Sequence, residues 1–377
     1  MTQAPATSDA DVPADGRVVT DCNRLGLDFA AEAARLRAGY GGPLIDAHVH
    51  LFDLKGAEVF FEAAEPFGVV HAITQTPLDH VDAVVERFGD RVEIVAIPDY
   101  FGNDPEVQFT TGWYERLEQF AERGAKMFKI WAGPRGLDRS PHLALDSAAR
   151  IEGIRIAKSL GYTAIMTHAG DPDTWYTHKY KPESKYGTKR QHMDTLARMI
   201  EEHGDRPWLG AHMGGTPEDL DALQVFMDRF PTYVLDTSAT KWMVRELSRH
   251  IDEFADFVRR NAGRVMWGTD IVAHGLNAVP PEVARKVQLP EDAPPIEITD
   301  DAGYGVELYG SRFWAMRTLC ETGYDGPSPI VDPDLSMADA SVDPKSTATL
   351  RGAGLGADVL QALYHDNAKA FIEKVWG

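Results

Sequence analysis

An eight-stranded parallel α/β barrel, the (β/α)8 or TIM-barrel class, is predicted by three features of this sequence. Short apolar runs of strand length recur along the chain, segments with helix-like apolar spacing separate them, and four runs end in histidine or aspartate. Strands that alternate with helices pair in parallel through right-handed crossovers. Eight of them close into a ring, and polar residues at their carboxyl ends then converge on one face. The predicted strands are 44–48, 69–74, 92–97, 126–130, 163–168, 208–212, 233–237 and 265–269.

Residues 1–18 are rich in Ala, Asp, Pro and Thr and are expected to lack fixed structure. That leaves 19–377 as one domain, a length that barrels of this class commonly reach. Leu25, Phe29, Ala33 and Leu36 are spaced for a helix over 23–39 that covers the barrel's bottom. The first strand reads Leu44-Ile45-Asp46-Ala47-His48-Val49-His50. Side chains alternate along a strand, so His48 and His50 share a face and form half of a metal site. The runs at 69–74 and 92–97 supply the second and third strands. Trp113–Arg123 is predicted as a helix, and the fourth strand follows within Ala125-Lys126-Met127-Phe128-Lys129-Ile130-Trp131.

After a second helical segment, Ala148–Ser159, the fifth strand ends at His168, followed by Ala169-Gly170. Residues 171–192 are polar and aromatic and are expected to be a long loop. The sixth strand ends at His212, followed by Met213-Gly214-Gly215, and 233–237 is the seventh. The eighth ends in Trp267-Gly268-Thr269-Asp270. Residues 271–349 are rich in Pro, Asp and Gly, with a helical patch near Gly310–Thr322. Connections this long in a barrel act as lids or interface segments.

The net charge of −20 argues against nucleic acid or an anionic membrane surface as partner. It leaves a small anionic substrate open, because local cations override the global field. Two cysteines, Cys22 and Cys320, imply no disulfide framework and fit a reducing cytoplasm. Met1–Asp15 lacks the basic and apolar regions of a signal peptide, and no run of 18 apolar residues occurs. The expectation is a soluble cytoplasmic protein that takes a small-molecule substrate, with a homodimer or higher homo-oligomer compatible.

Chemically, His48, His50 and His168 offer neutral imidazoles and Asp270 a hard anionic ligand for one divalent ion. Zinc suits this set best, with manganese or another divalent ion as alternatives. Asp270 serves as ligand or as proton acceptor, and His212 as acid–base group or further ligand, the acid–base role being favoured. Lys129, at the fourth strand's end, is a third catalytic candidate. Trp131, Arg135, Trp175, Tyr176, Trp242 and Arg245 lie in predicted loops or beyond strand ends and offer stacking surfaces and carboxylate-gripping forks. His71, His80, His142, His203 and His250 read as structural or solvated, while His178, His192 and His274 are weaker candidates for substrate contact.

The order HxH, His168, His212, Asp270 resembles the amidohydrolase superfamily. In detail it resembles the amidohydrolase-related branch that includes aminocarboxymuconate-semialdehyde decarboxylase and the resorcylate decarboxylases. Ile45–His50, Gly210–Gly215, Trp267–Asp270 and the closing stretch Leu360–Phe371 carry the likeness, which spans about 44–375. The resemblance implies the same four metal ligands, one ion, and an acid–base histidine at 212. In binuclear members a lysine placed like Lys129 is carbamylated and bridges two ions. Here it is expected instead to bind a substrate carboxylate or form an ion pair. The first expectation for activity is a metal-dependent hydrolase that cleaves an amide, lactone or similar carbonyl bond in a small anionic or aromatic substrate with metal-activated water. The alternative is non-oxidative decarboxylation of an aromatic or conjugated carboxylic acid. A non-enzymatic barrel is disfavoured, since every ligand is in place.

Overall fold

β1 (Leu44–Leu51) is the stave on which the barrel closes. In this computed structural model residues 19–100, 102–276 and 302–377 are described, and the expected unstructured segment 1–18 lies outside them. The chain continues through β2 (Val69–Thr74), β3 (Val92–Ala96), β4 (Met127–Trp131), β5 (Ala164–His168), β6 (Trp208–Gly210), β7 (Tyr233–Asp236), β8 (Val265–Met266) and β9 (Ile271–Ala273). These form one nine-stranded sheet, β8-β7-β6-β5-β4-β3-β2-β1-β9, with every pairing parallel.

The expected eighth strand, 265–269, is only β8 at its start, and a further short strand, β9, follows Asp270. β8 pairs with β7 and β9 with β1, so one broken stave joins the sheet's two ends and completes the ring. Across the break, Ala47 N donates to Trp267 O at 2.9 Å and Asp270 N to His48 O at 2.8 Å. Asp46 clamps the same junction. Its Oδ1 accepts from His48 N (3.1 Å) and Thr269 N (3.0 Å), and its Oδ2 from Thr269 Oγ1 (2.6 Å).

Ile45, Ala47, Ile73, Val95, Met127, Ala164, Met166, Leu209 and Met266 form an inner apolar cluster. Ala368, Phe371 and Val375 of the C-terminal helix Asn367–Trp376 pack against it. The predicted N-terminal helix forms as Phe29–Gly39. It does not cover this cluster but lies against helix Ala302–Glu321, where Arg317 Nη2 donates to Leu36 O and Tyr40 O. The other faces of the strands bury against the surrounding helices in a second, larger cluster. Burial at about 25 cal/mol per Å2 of apolar surface makes these two clusters the main source of stability.

On β1 the pairing register shifts between Asp46 and Val49. That irregularity moves the inward face from Ile45 and Ala47, in the apolar cluster, to His48 and His50 at the cavity. Strict alternation would have left the histidines on the opposite face from Ile45.

The segment 171–192 is not a plain loop. It carries short helices Asp173–His178 and Glu183–Tyr186, then starts helix Lys189–His203 under a Thr188–Gln191 capping box. The helical patch expected near 310–322 begins earlier, at Ala302. Asp325–Val331 and Thr347–Arg351 form an antiparallel pair that Pro327 and Pro329 conceal in the sequence. No described helix is long and apolar enough to cross a membrane.

Candidate metal centre

His48 leaves β1 fully buried between two carboxylates. Its Nδ1 lies 2.8 Å from Asp236 Oδ2 at the end of β7, and its Nε2 lies 3.4 Å from Asp270 Oδ1 at the break between β8 and β9. His50 Nε2 is 3.1 Å from the same Asp270 oxygen. His212, just beyond β6, stacks on His48 with ring centres 4.9 Å apart. His168, closing β5, meets His212 edge-on at 4.6 Å. Ligand atoms of His48, His212 and Asp270 lie within 4.8 Å of one another, the group among the described residues best placed to hold an ion. Distant strands thus deliver every strand-end histidine and Asp270 to one place.

The donor chemistry fits a divalent metal. A metal-bound imidazole usually has its other nitrogen tied to a carboxylate, carbonyl or hydroxyl, which fixes tautomer and orientation. Here His48 Nδ1 is tied to Asp236, His168 Nε2 to Asp171 Oδ1 at 2.7 Å, and His212 Nδ1 to Ser238 Oγ at 2.7 Å. Asp171 is itself held by the Tyr180 hydroxyl, and Ser238 by Asp236. His50 differs: its Nε2 also faces Gln75 Nε2 at 3.3 Å, and its Nδ1 is buried without a hydrogen-bond partner.

Protonation follows the same logic. Burial holds His212 well below an imidazole's ordinary value, and burial with the Lys129 charge lowers His48, so both rings are neutral. Burial alone would raise the two carboxylates, but His48 overcomes it at Asp236, and His212, His50 and His48 do so at Asp270. Neutral imidazoles and ionised carboxylates are the forms that bind metal. Burial also pushes Lys129 down to about 8, against the pull of Asp236 and Asp270, and its Nζ stands 3.4 Å from His48 Nε2.

The backbone is strained at this point. Among the described residues, left-handed φ outside glycine occurs at His212 (58°), Met213 (52°), Ala239 (68°) and Asp270 (59°), all just past β6, β7 or β8. Such residues cost about 1–3 kcal/mol each and persist only where surrounding bonds over-determine them. His212 N donates to Asp236 Oδ1 at 2.9 Å, and Asp270 N to His48 O. Gly215 permits the adjoining turn, since a Cβ there would sit 2.3 Å from Gly170 O.

A cavity of about 1160 Å3 opens over the cluster. Of the residues predicted from sequence to contact substrate, Trp131, Arg135, Trp175 and Trp242 line it, and Tyr176 and Arg245 do not. Tyr176 packs on Tyr180 and His192 instead. Arg245 is buried in helix Thr240–Leu247, where it pairs with Glu246 (2.7 Å), Asp332 and Asp334 (3.3 Å). The acids at 332 and 334 come from the chain beyond the barrel, so nothing local to Arg245 announces them. His178, His192 and His274 do not line the cavity.

Asp236, Ser238, Asp171 and Gln75 escaped the sequence reading. Asp236 follows the same pattern as the others, since Tyr233-Val234-Leu235-Asp236 is an apolar run ending in a carboxylate, and that was its available signal. Arg312, also in the cavity wall, sits on a helix some forty residues past β9 and had none.

A closed barrel with this donor cluster at its strand ends defines an α/β-barrel enzyme with a site of divalent-metal type. The amidohydrolase family profile matches residues 19–373, and the chain belongs to that family, as its ordered motifs indicate. No curated protein sequence matches it. In fold it is similar to 5-carboxyvanillate decarboxylase LigW from Sphingomonas paucimobilis, at 11% identity over 72% of this chain and 97% of that one, with a TM-score of 0.40. It is also similar to methylornithine synthase (PylB), at 12% identity over 67% and 77% of the two chains, with a TM-score of 0.34.

Proposed function

We propose that this amidohydrolase is a metal-dependent, non-oxidative decarboxylase of a planar aromatic carboxylic acid, the second of the two activities that the sequence suggests. The observation that carries the reading is the cavity wall. In a chain of net charge −20, Trp131, Trp175 and Trp242 share this wall with Lys129, Arg135, Arg139, Lys241 and Arg312. Indole faces hold an aryl ring, and cations grip its anionic oxygens. A carboxylate drawn in among tryptophans loses hydration, which favours departure of neutral carbon dioxide.

His48 and Asp270, completed by His50 and His168, would hold the ion, with His212, in reach of the same pair, kept for proton transfer; zinc comes before manganese because imidazoles dominate the set. When bound it supplies a Lewis acid for substrate oxygens. Lys129, beside His48 on the cavity floor, neutralises an oxygen of the substrate carboxylate. Loss of carbon dioxide leaves a ring carbon that needs one proton. His212 lines the cavity with Nδ1 tied to Ser238, so its Nε2 first takes a proton from solvent and then hands it to that carbon. Because burial disfavours its charged form, protonated His212 is a strong donor.

The test is turnover of a panel of aryl carboxylates, lactones and amides in deuterated, 18O-labelled water. Decarboxylation predicts carbon dioxide, one deuteron on the ring and no solvent oxygen in the product. Solvent oxygen in the product without carbon dioxide would return the assignment to a hydrolase. In His212→Ala, ion content should stay at the wild-type level while turnover falls about a hundredfold or more. Ion content falling in step with activity would make His212 a ligand instead.

A further inference from the structure

Arg135 and Arg139 follow β4, while Lys241 follows β7, three staves further round the ring. Arg312 reaches the same cavity from helix Ala302–Glu321, which packs against Lys241's helix, Thr240–Leu247. Lys241 and Arg312 are close enough to repel: after burial, the Arg312 charge is the largest influence lowering the Lys241 ammonium. Among the described residues neither forms an ion pair within 4 Å. Arg312 Nη1 donates to Leu308 O (2.8 Å) and Ser311 Oγ (2.7 Å), both neutral acceptors. The acids that attract Lys241, Asp332 and Asp334, are engaged by Arg245, and Asp334 also accepts from Trp175 Nε1 at 2.7 Å.

Among the described residues no carboxylate stands between these two half-buried cations, and like charges held together in this way destabilise a fold. The pairing has a use if a ligand brings the negative charge. Trp242, next to Lys241 in sequence, stands edge-on to His212 at 5.5 Å and to Trp175 at 5.0 Å and lines the same cavity as the two cations.

We propose that Lys241 and Arg312 form a second anion subsite, and that the substrate is an aromatic diacid. One acidic group lies at the donor cluster beside Lys129 and the other between Lys241 and Arg312. The inference rests on the aromatic-carboxylate reading above but concerns binding, which is measured apart from turnover. The second subsite selects against monoacids, because an uncharged substituent would leave both cations without a counter-charge.

The experiment is calorimetric titration of the metal-loaded protein with benzoate, isophthalate and terephthalate. At least one diacid should bind about tenfold more tightly than benzoate, a preference that weakens with added salt. Lys241→Met and Arg312→Gln should each bring that ratio to within about twofold by weakening the diacid far more than benzoate, and Arg312→Lys should keep part of it. Lys241 is partly exposed, so its variant keeps the fold even if Arg312→Gln does not. Equal affinity for mono- and diacids in the wild type, or variants that weaken both alike, would overturn the subsite. Diacid preference that depends on these residues, without carbon dioxide release from any panel compound, would keep the subsite and sink the decarboxylase reading. Release from monoacids alone would do the reverse.

Discussion

Asp270→Asn should empty the metal site and lower turnover by about a thousandfold or more, equivalent to about 4 kcal/mol of transition-state stabilisation. The substitution isolates charge from shape. Asparagine tolerates the left-handed backbone at this position and keeps the main-chain bond from residue 270 to His48 O. What it lacks is the anionic oxygen that lies 3.1 Å from His50 Nε2 and 3.4 Å from His48 Nε2. With that oxygen neutral, the imidazoles lose the negative charge that offsets a dication. Elemental analysis of the purified variant, beside its rate on the best panel substrate, checks this. Full ion content with a near wild-type rate would remove Asp270 from the site.

Asp236→Ala should be the most damaging change to stability, costing on the order of 3–5 kcal/mol. The Asp236 carboxylate is completely buried and gathers His48 Nδ1 (2.8 Å), His212 N (2.9 Å), Ser238 N (3.0 Å) and Ser238 Oγ. Alanine leaves these groups buried without an acceptor and frees the His48 imidazole to rotate, so ion affinity should fall about 10–100-fold as well. Denaturant titration with and without metal separates the two effects. The pH dependence has a definite sign. The folded-state pKa of Asp236 lies below the ordinary value of 3.8, so its stabilisation is complete above that value and is lost as the pH falls further. An Asp236→Ala protein as stable as wild type at neutral pH would show that the network is incidental.

The barrel was legible because its evidence is local. Each strand is an apolar run a few residues long, each helix repeats its own apolar spacing, and neither depends on a distant partner. The strand-end residues His48, His50, His168, His212 and Asp270 were legible for the same reason, since parallel staves place their carboxyl ends on one face whatever the details.

Long-range contacts decided the rest. Two histidines one residue apart share a face on any regular strand, but the register shift between Asp46 and Val49 is what turns that face to the cavity. The stave expected at 265–269 is completed by a second short strand beyond Asp270, because β7 pairs with the first piece and β1 with the second. Arg245 and Arg312 are chemically alike in the sequence. One is neutralised by acids from the chain beyond the barrel and the other lines the cavity. Composition and periodicity by themselves determine which residues an element carries and which face is apolar. Which charge meets which counter-charge depends on where segments hundreds of residues apart come to rest, and only the closed barrel supplies that.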